Sequence, residues 1–215
     1  MKHAILSLAA IFFFCLSAAA QETKSETVSV SLPDVFTPDS TSYPAGVYFE
    51  IKDFLAKKPS KAERNSPIFW KKGFFYFKLD PSEKISAFAV SHDGKLYFQN
   101  RAIMDHKIKG GRSESTFSPN AFVPVLVEGN NYIYFETDFG NVWAMVSSRG
   151  DGSESFQRMA IVWDRKKIGF HIMKFCEDFN EFIAPLKPEL VLKCDRRESP
   201  DRTLIRDAVV ALKSK

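Results

Sequence analysis

From residue 69 onward, apolar and polar positions alternate with a period of two, interrupted at short and fairly even spacing by Gly, Asn and Asp. Residues 69–79, FWKKGFFYFKL, predict one strand with Phe75, Phe77 and Leu79 on one face and Phe74, Tyr76 and Lys78 on the other. Residues 84–91 and 95–99 predict a hairpin around His92-Asp93-Gly94, because glycine accepts the positive φ of a tight turn. Residues 102–108 predict a further strand, and residues 109–119 a polar loop. Residues 122–127 and 132–137 predict a second hairpin around Glu128-Gly129-Asn130-Asn131. Asp138-Phe139-Gly140-Asn141 predicts a turn into a strand at 142–147, followed by a second polar loop at 148–155. Strands at 159–163 and 168–174 flank a turn at 164–167. No helical period separates these segments, so the pattern predicts an antiparallel meander rather than β-α-β units.

Several strands are apolar on both faces, as in Ala87-Phe88-Ala89-Val90 and Ala160-Ile161-Val162-Trp163. A sheet with one wet face alternates more cleanly. Both faces are therefore expected to be covered, by curling into a partial barrel, by a second sheet or by helices.

Helical spacing occurs at the two ends of this region. In GVYFEIKDFLAKKPS, residues 46–60, an extended entry leads into a helix at 49–57. Tyr48, Ile51 and Leu55 form its stripe, Phe54 flanks it, and Pro59 stops it. A helix this short is marginal alone, so it reads as a brace packed on the sheet rather than a docking helix. Phe179, Phe182, Ile183 and Leu186 give a second helix, limited by Pro185. Ser199 reads as the N-cap of a third, with Pro200 in its first turn and Leu204, Ile205, Ala208, Val209 and Leu212 as its stripe. The expected class is α+β: a predominantly antiparallel β meander, as a curved sheet or partial barrel, with a short N-terminal helix and C-terminal amphipathic helices.

Residues 1–20, MKHAILSLAAIFFFCLSAAA, combine a basic start, an apolar run and a small-residue exit. That is the layout of a secretory signal peptide. Cys15 lies inside the apolar run behind Phe12-Phe13-Phe14, which is too bulky for a lipoprotein signal. Residues 21–45 read as a flexible tether interrupted by Pro33, Pro38 and Pro44, with a short strand near 28–32. Residues 46–215 read as one β-rich domain with a C-terminal helical cover. The chain is expected to be exported, periplasmic or extracellular, and soluble after cleavage, since no later stretch is long and apolar enough to span a bilayer.

Loss of Lys2 and no acid lowers the formal net charge from +4 to about +3. The basic residues are dispersed as Lys57-Lys58, Lys71-Lys72, Arg165-Lys166-Lys167 and Arg196-Arg197. Solvated surface explains them, and nucleic acid is not an expected partner. The remaining cysteines, Cys176 and Cys194, permit one disulfide in an oxidising compartment, or are two small buried hydrophobes.

Signals for chemistry are weak. His92, His106 and His171 are scattered, and no H-x-H, HExxH or Cys/His cluster is present, so no metal and no cofactor are expected. No serine has a G-x-S-x-G context. The acid pairs Glu136 with Asp138 and Asp151 with Glu154 read as solvated turn residues. Asp138-Phe139-Gly140, Gly110-Gly111-Arg112 and Arg149-Gly150-Asp151 are short matches without their functional contexts. No catalytic residue is assigned. The aromatic excess is the one compositional signal: without the leader, eighteen of the 21 Phe remain beside 6 Tyr and 3 Trp. It fits a core of large side chains, or an apolar pocket or platform with Phe75, Phe77, Phe88 and Tyr134 as candidate ligand-binding residues.

The opening G-x-Y-x(4)-D-F-x(3)-K-P-S, the aromatic strands and the closing EDFNEFIAPLKPELV together resemble uncharacterised secreted bacterial proteins. The resemblance spans most of the mature chain and implies an envelope protein with a mainly β domain. It implies no activity. The expected function is a non-catalytic extracytoplasmic binding or structural module, its partner an envelope protein, a glycan or an apolar ligand. The alternatives are a carrier with an aromatic-lined cavity and, third, a hydrolase or metal enzyme built on His171, His106 or Cys176.

Overall fold

Antiparallel pairing dominates the chain. The computed structural model describes residues 40–62, 68–71, 74–77, 87–108, 114–115, 118–141 and 156–213, all within the unit Pro33–Lys215. The leader, most of the tether with its strand at 28–32, Leu79, the strand at 142–147 and the Gly110-Gly111-Arg112 and Arg149-Gly150-Asp151 stretches lie outside these residues.

The described elements are β1 Gly46–Tyr48, α1 Ile51–Leu55, β2 Lys61–Ala62, β3 Ile68–Lys71, β4 Phe74–Phe77, β5 Ala89–His92, β6 Lys95–Gln99 and α2 Asn100–Asp105. They continue with β7 Glu114–Ser115, β8 Phe122–Glu128, β9 Tyr132–Asn141, β10 Phe156–Asp164, β11 Gly169–Met173, α3 Cys176–Ile183, a 3-10 turn at Pro188–Leu190 and α4 Arg202–Lys213. The main sheet runs β11-β10-β9-β8-β6-β5-β1-β2, with β4 joined to β8, β3 to β4 and β7 to β9. The expected α+β class with a curved antiparallel sheet is the observed one.

The curvature is visible in which rings touch. Phe88 lies 5.3 Å from Trp163 of β10 and 5.9 Å from Phe170 of β11. In the sheet, however, β6, β8 and β9 stand between β5 and β10. Only a sheet that rolls back on itself brings those rings together. Among the described residues no ladder closes the roll. Residues 106–108 partly span the gap: the Phe170 N–H donates to the His106 carbonyl and the Ile108 N–H donates to the Phe170 carbonyl, both at 2.9 Å.

Strand alternation sorts side chains between the two faces. Ile133, Phe135 and Phe139 of β9, Met159, Ile161 and Trp163 of β10, and Phe170 and Ile172 of β11 share the inner cluster with Phe88, Leu96 and Phe98. Outside, one half of the sheet carries Val47, Val90, Tyr97 and Phe122, covered by Phe75 and Phe77. The other half carries Val127, Tyr134, Ala160, Val162 and Met173, covered by Phe179, Phe182 and Ile183 of α3 and Ile205, Ala208 and Val209 of α4. A register shift between Val125 and Val127 accompanies the change of face: Val125 lies in the inner cluster and Val127 in the outer one. Both faces are thus covered, each half of the outer face by a different device.

The 46–60 stretch closes the open side of the roll. Helix α1 is shorter than its spacing predicts, five residues, and its fully buried side chain is Phe54, with Ile51 and Leu55 only partly buried. Phe54 stacks on Tyr43 at 4.3 Å and meets Tyr48, Phe88, Phe98 and Trp163 edge-on at 5.1–5.9 Å. The polar motif residues hold this plug in place. The Ser60 hydroxyl donates to Asp53 at 2.5 Å and accepts the Phe49 N–H at 3.0 Å. The Tyr48 hydroxyl donates to the Pro44 carbonyl at 2.6 Å. Gly46 sits at φ 146°, where a Cβ would come within 2.6 Å of the Lys61 carbonyl oxygen, so a side chain there forces the backbone to move. The motif that carries the resemblance is, physically, a self-bonded plug.

Several sequence expectations are corrected. The single strand at 69–79 is two, β3 and β4, paired antiparallel from Ile68↔Phe77 to Lys71↔Phe74. Residues 102–108 begin as helix α2, because Asn100 and Ile103, three apart, are both fully buried. Asp138-Phe139-Gly140-Asn141 is no turn but the end of β9, with Phe139 fully buried. Packing also begins before Gly46: Tyr43 is buried, and Thr41 donates to Glu128 at 2.5 Å. Helix α4 starts at Arg202, with the Thr203 N–H capped by Asp201 at 2.8 Å rather than by Ser199, and Leu204 points to solvent. The hairpin at Asp93-Gly94 forms as expected, both residues at positive φ. No helix among the described residues is long and apolar enough to cross a membrane.

Candidate ligand-binding site

Strand β9 pairs with both β8 and β10. Its alternation turns Tyr134 and Glu136 to the outer side, under α4. Glu136 is only 7% exposed, and both of its oxygens are engaged. Oε1 accepts from Arg206 at 2.7 Å and from the Tyr134 hydroxyl at 2.9 Å. Oε2 accepts from Arg202 at 3.2 Å and from Arg158 at 3.3 Å. The local sequence explains the convergence. Arg202 and Arg206 are one helical turn apart and share a face of α4. Arg158 stands opposite Asp138 in the β9–β10 ladder, one pair away on the same face from Glu136 opposite Ala160.

Burial by itself pushes the Glu136 carboxyl up. The hydrogen bonds from Arg206 and Tyr134 and the charges of Arg202 and Arg206 outweigh it, and the carboxyl is held below its ordinary range. Tyr134 moves the other way: burial, and next the Glu136 charge, push its hydroxyl far above the ordinary tyrosine range. At neutral pH the hub is therefore one carboxylate, one neutral phenol and three guanidinium ions. Asp138 adds a second carboxylate, 4.0 Å from Arg158. The expectation that Glu136 and Asp138 are solvated turn residues is corrected: they belong to a long strand, and Glu136 is buried. Arg158, Arg202 and Arg206 carried no sequence signal, because Arg158 and the Arg202/Arg206 pair are far from each other and from Glu136 in the chain and form no motif.

The four aromatic candidates fall into three different clusters. Phe75 and Phe77 pack on the outer Tyr97, at 5.7 and 5.1 Å. Phe88 belongs to the inner cluster. Tyr134 lies under α4 on the opposite outer half and is a hydrogen-bonding member of the Glu136 hub. The fold does not bring them together around one cavity. Cys176 and Cys194 are joined in a disulfide with Cα atoms 6.2 Å apart. The bridge lies at the first residue of α3. There the Cys176 and Glu177 N–H groups donate to the Glu198 and Arg196 carbonyls at 2.8 and 3.1 Å. The strap after the bridge thus satisfies helix-end donors that would otherwise lack partners.

Among the histidines, His171 meets a carboxylate. Its Nε2 lies 3.5 Å from Oδ2 of the buried Asp164. Asp164 Oδ1 accepts the Lys166 and Lys167 N–H groups at 2.9 and 3.1 Å, so it also pins the β10–β11 turn. Burial pushes the Asp164 carboxyl up, but its bonds to His171 and to these two N–H groups hold it below the ordinary range. The adjoining cavity, about 120 Å³, is lined by Lys167, His171, Asp178, Glu181 and Phe182 among others, with no serine or cysteine. His106 is the residue after α2 and faces Phe88, and His92 faces Phe77. Among the described residues no group of three His, Cys, Asp or Glu side chains is placed to hold a metal ion. No protein-family model, no curated protein and no solved structure matches the chain.

Proposed function

We propose that the chain is an exported, non-catalytic module of the bacterial envelope that engages its partner on its outer surface. The observation that carries this reading is the packing of the roll's interior. Phe54, Phe98, Phe135, Trp163 and Phe170 are all fully buried and lie in mutual ring contact at 4.8–6.3 Å. A carrier needs room at this position, and these rings occupy it. Polar and charged groups in unusual surroundings are instead gathered on the outer face under α4. The disulfide and the signal-like leader suit an oxidising compartment outside the cytoplasm.

Native mass spectrometry of the protein purified from the envelope tests the reading. The expected result is a stoichiometric partner that dissociates when the outer surface is altered, with no small apolar molecule retained. A copurifying apolar ligand, lost in a Phe98→Trp variant that overfills the interior, would favour the carrier instead.

A further inference from the structure

The geometry points to an oxyanion site on the outer face, formed by Arg158, Arg202 and Ser199 and suited to a phosphoryl group carried by a larger ligand. This inference rests on the reading that the protein binds through its surface, and it names the chemistry of what is bound.

A cavity of about 210 Å³ opens where β10, β11 and the strap before α4 meet, lined by Gln157, Arg158, Met159, Met173, Ser199, Pro200 and Arg202. Two of the three guanidinium groups around Glu136 border it. Arg158 and Arg202 are each 43% exposed, whereas Arg206 is 20% exposed and does not border the cavity. Arg158 and Arg202 both donate to the same carboxylate oxygen, Glu136 Oε2, so their heads are held side by side. Each guanidinium carries five N–H donors, and the contact with Glu136 engages one nitrogen of each. The donors that remain lie on half-exposed groups at the rim of the cavity.

The carboxylate that fixes these arginines is itself saturated by four donors, so it has no lone pair left with which to compete for them. Two forked cations presented side by side are the arrangement that binds an oxyanion bidentately. Ser199 adds a hydroxyl: its Oγ accepts from the Gln157 amide, which leaves its O–H to donate. Of the acids nearby, Asp138 Oδ2 lies 4.0 Å from Arg158 Nη1, beyond hydrogen-bond distance, and Asp201 spends its Oδ1 on the Thr203 N–H. Met173, which lies on the outer face, gives the cavity an apolar side, which fits a phosphoryl group joined to a carbon skeleton better than a free ion.

The strap that carries Ser199 is anchored by the Cys176–Cys194 bridge and by the Glu198 and Arg196 carbonyls bonded to the start of α3. The cavity wall is thus fixed before a ligand arrives, which lowers the ordering cost of binding.

Titration calorimetry on the exported protein with inorganic phosphate at low ionic strength tests the site. The expected result is saturable binding that weakens at least tenfold in Arg202→Gln and several-fold in Ser199→Ala. Ser199 does not touch Glu136, so the second variant keeps the test decisive should Arg202→Gln unfold. Two further arms, a soluble sugar phosphate and vesicles bearing phosphatidic acid, distinguish a soluble ligand from a lipid headgroup. Binding of either, weakened several-fold by Ser199→Ala, upholds the site. The absence of saturable phosphate binding, or equal binding by wild type and Ser199→Ala, overturns it. A partner captured from the envelope by a protein that binds no phosphate sinks this inference alone. Phosphate binding without any retained partner sinks the module reading alone.

Discussion

The inside of the roll and the outer face under α4 are stabilised by opposite means. Inside, aromatic rings exclude water and meet one another at edge-on and stacked angles, with Phe54 plugging the open side. Outside, one buried carboxylate is held by three arginines and a tyrosine. The interior is tolerant in kind but demanding in volume: any apolar group of the right size serves, and a missing one leaves a cavity. The outer hub is tolerant in volume but demanding in complement, since removing one member strands charges that burial has already taken out of water. The first arrangement gives stability. The second leaves two half-exposed guanidinium groups, Arg158 and Arg202, at the surface.

The largest effect is expected inside the roll. Phe54→Ala removes a fully buried ring that touches five others and is expected to cost about 4 kcal/mol, read as a fall in the denaturant midpoint with an unchanged slope. Glu136→Ala leaves three arginines facing one another and is expected to cost about 3 kcal/mol. Added phosphate should return part of that loss, whereas it should return nothing to Phe54→Ala. Equal behaviour of the two variants with phosphate would erase the distinction between the regions. Reduction of the Cys176–Cys194 bridge, which closes a loop of sequence separation 18, is expected to cost about 3 kcal/mol or somewhat less. Intact mass should rise by two hydrogens on reduction, and a chain already at the heavier mass would show that the bridge does not form.

Acid should reveal the smallest difference. The Glu136 and Asp164 carboxyls are both held low in the folded chain. A depressed folded value contributes stability that is fully present above the unfolded carboxylate range, near pH 4, and is lost as pH falls through the folded value. Thermal midpoints should therefore be level from neutrality down to about pH 5 and decline below it. Glu136→Gln should flatten part of that decline, and Phe54→Leu should leave its shape unchanged.

The strands and the faces they present were legible because the period of two is a local property. Lys95–Gln99, the Asp93-Gly94 turn and the pairing of β10 with β11 follow from neighbours in the chain. The errors occurred where distant contacts overrode local pattern. Residues 100–105 became a helix because Asn100 finds Thr137 and the Ser118 carbonyl, at 3.1 Å each, from a buried position. The 69–79 run became a hairpin that covers one outer face, which no alternation count reveals. Phe54, expected beside its helix's stripe, proved to be the anchor because its ring inserts among Tyr43, Tyr48, Phe88, Phe98 and Trp163.

By itself, then, the sequence determined an antiparallel, aromatic, doubly covered sheet with a plug and amphipathic end helices, because alternation, turn chemistry and helical spacing are each written within a few residues. The tertiary structure alone decided that Glu136, Arg158, Arg202 and Arg206 meet. Those residues lie up to 70 positions apart, and a hub of charges has no period: it exists only once the sheet has rolled and α4 has been laid across it.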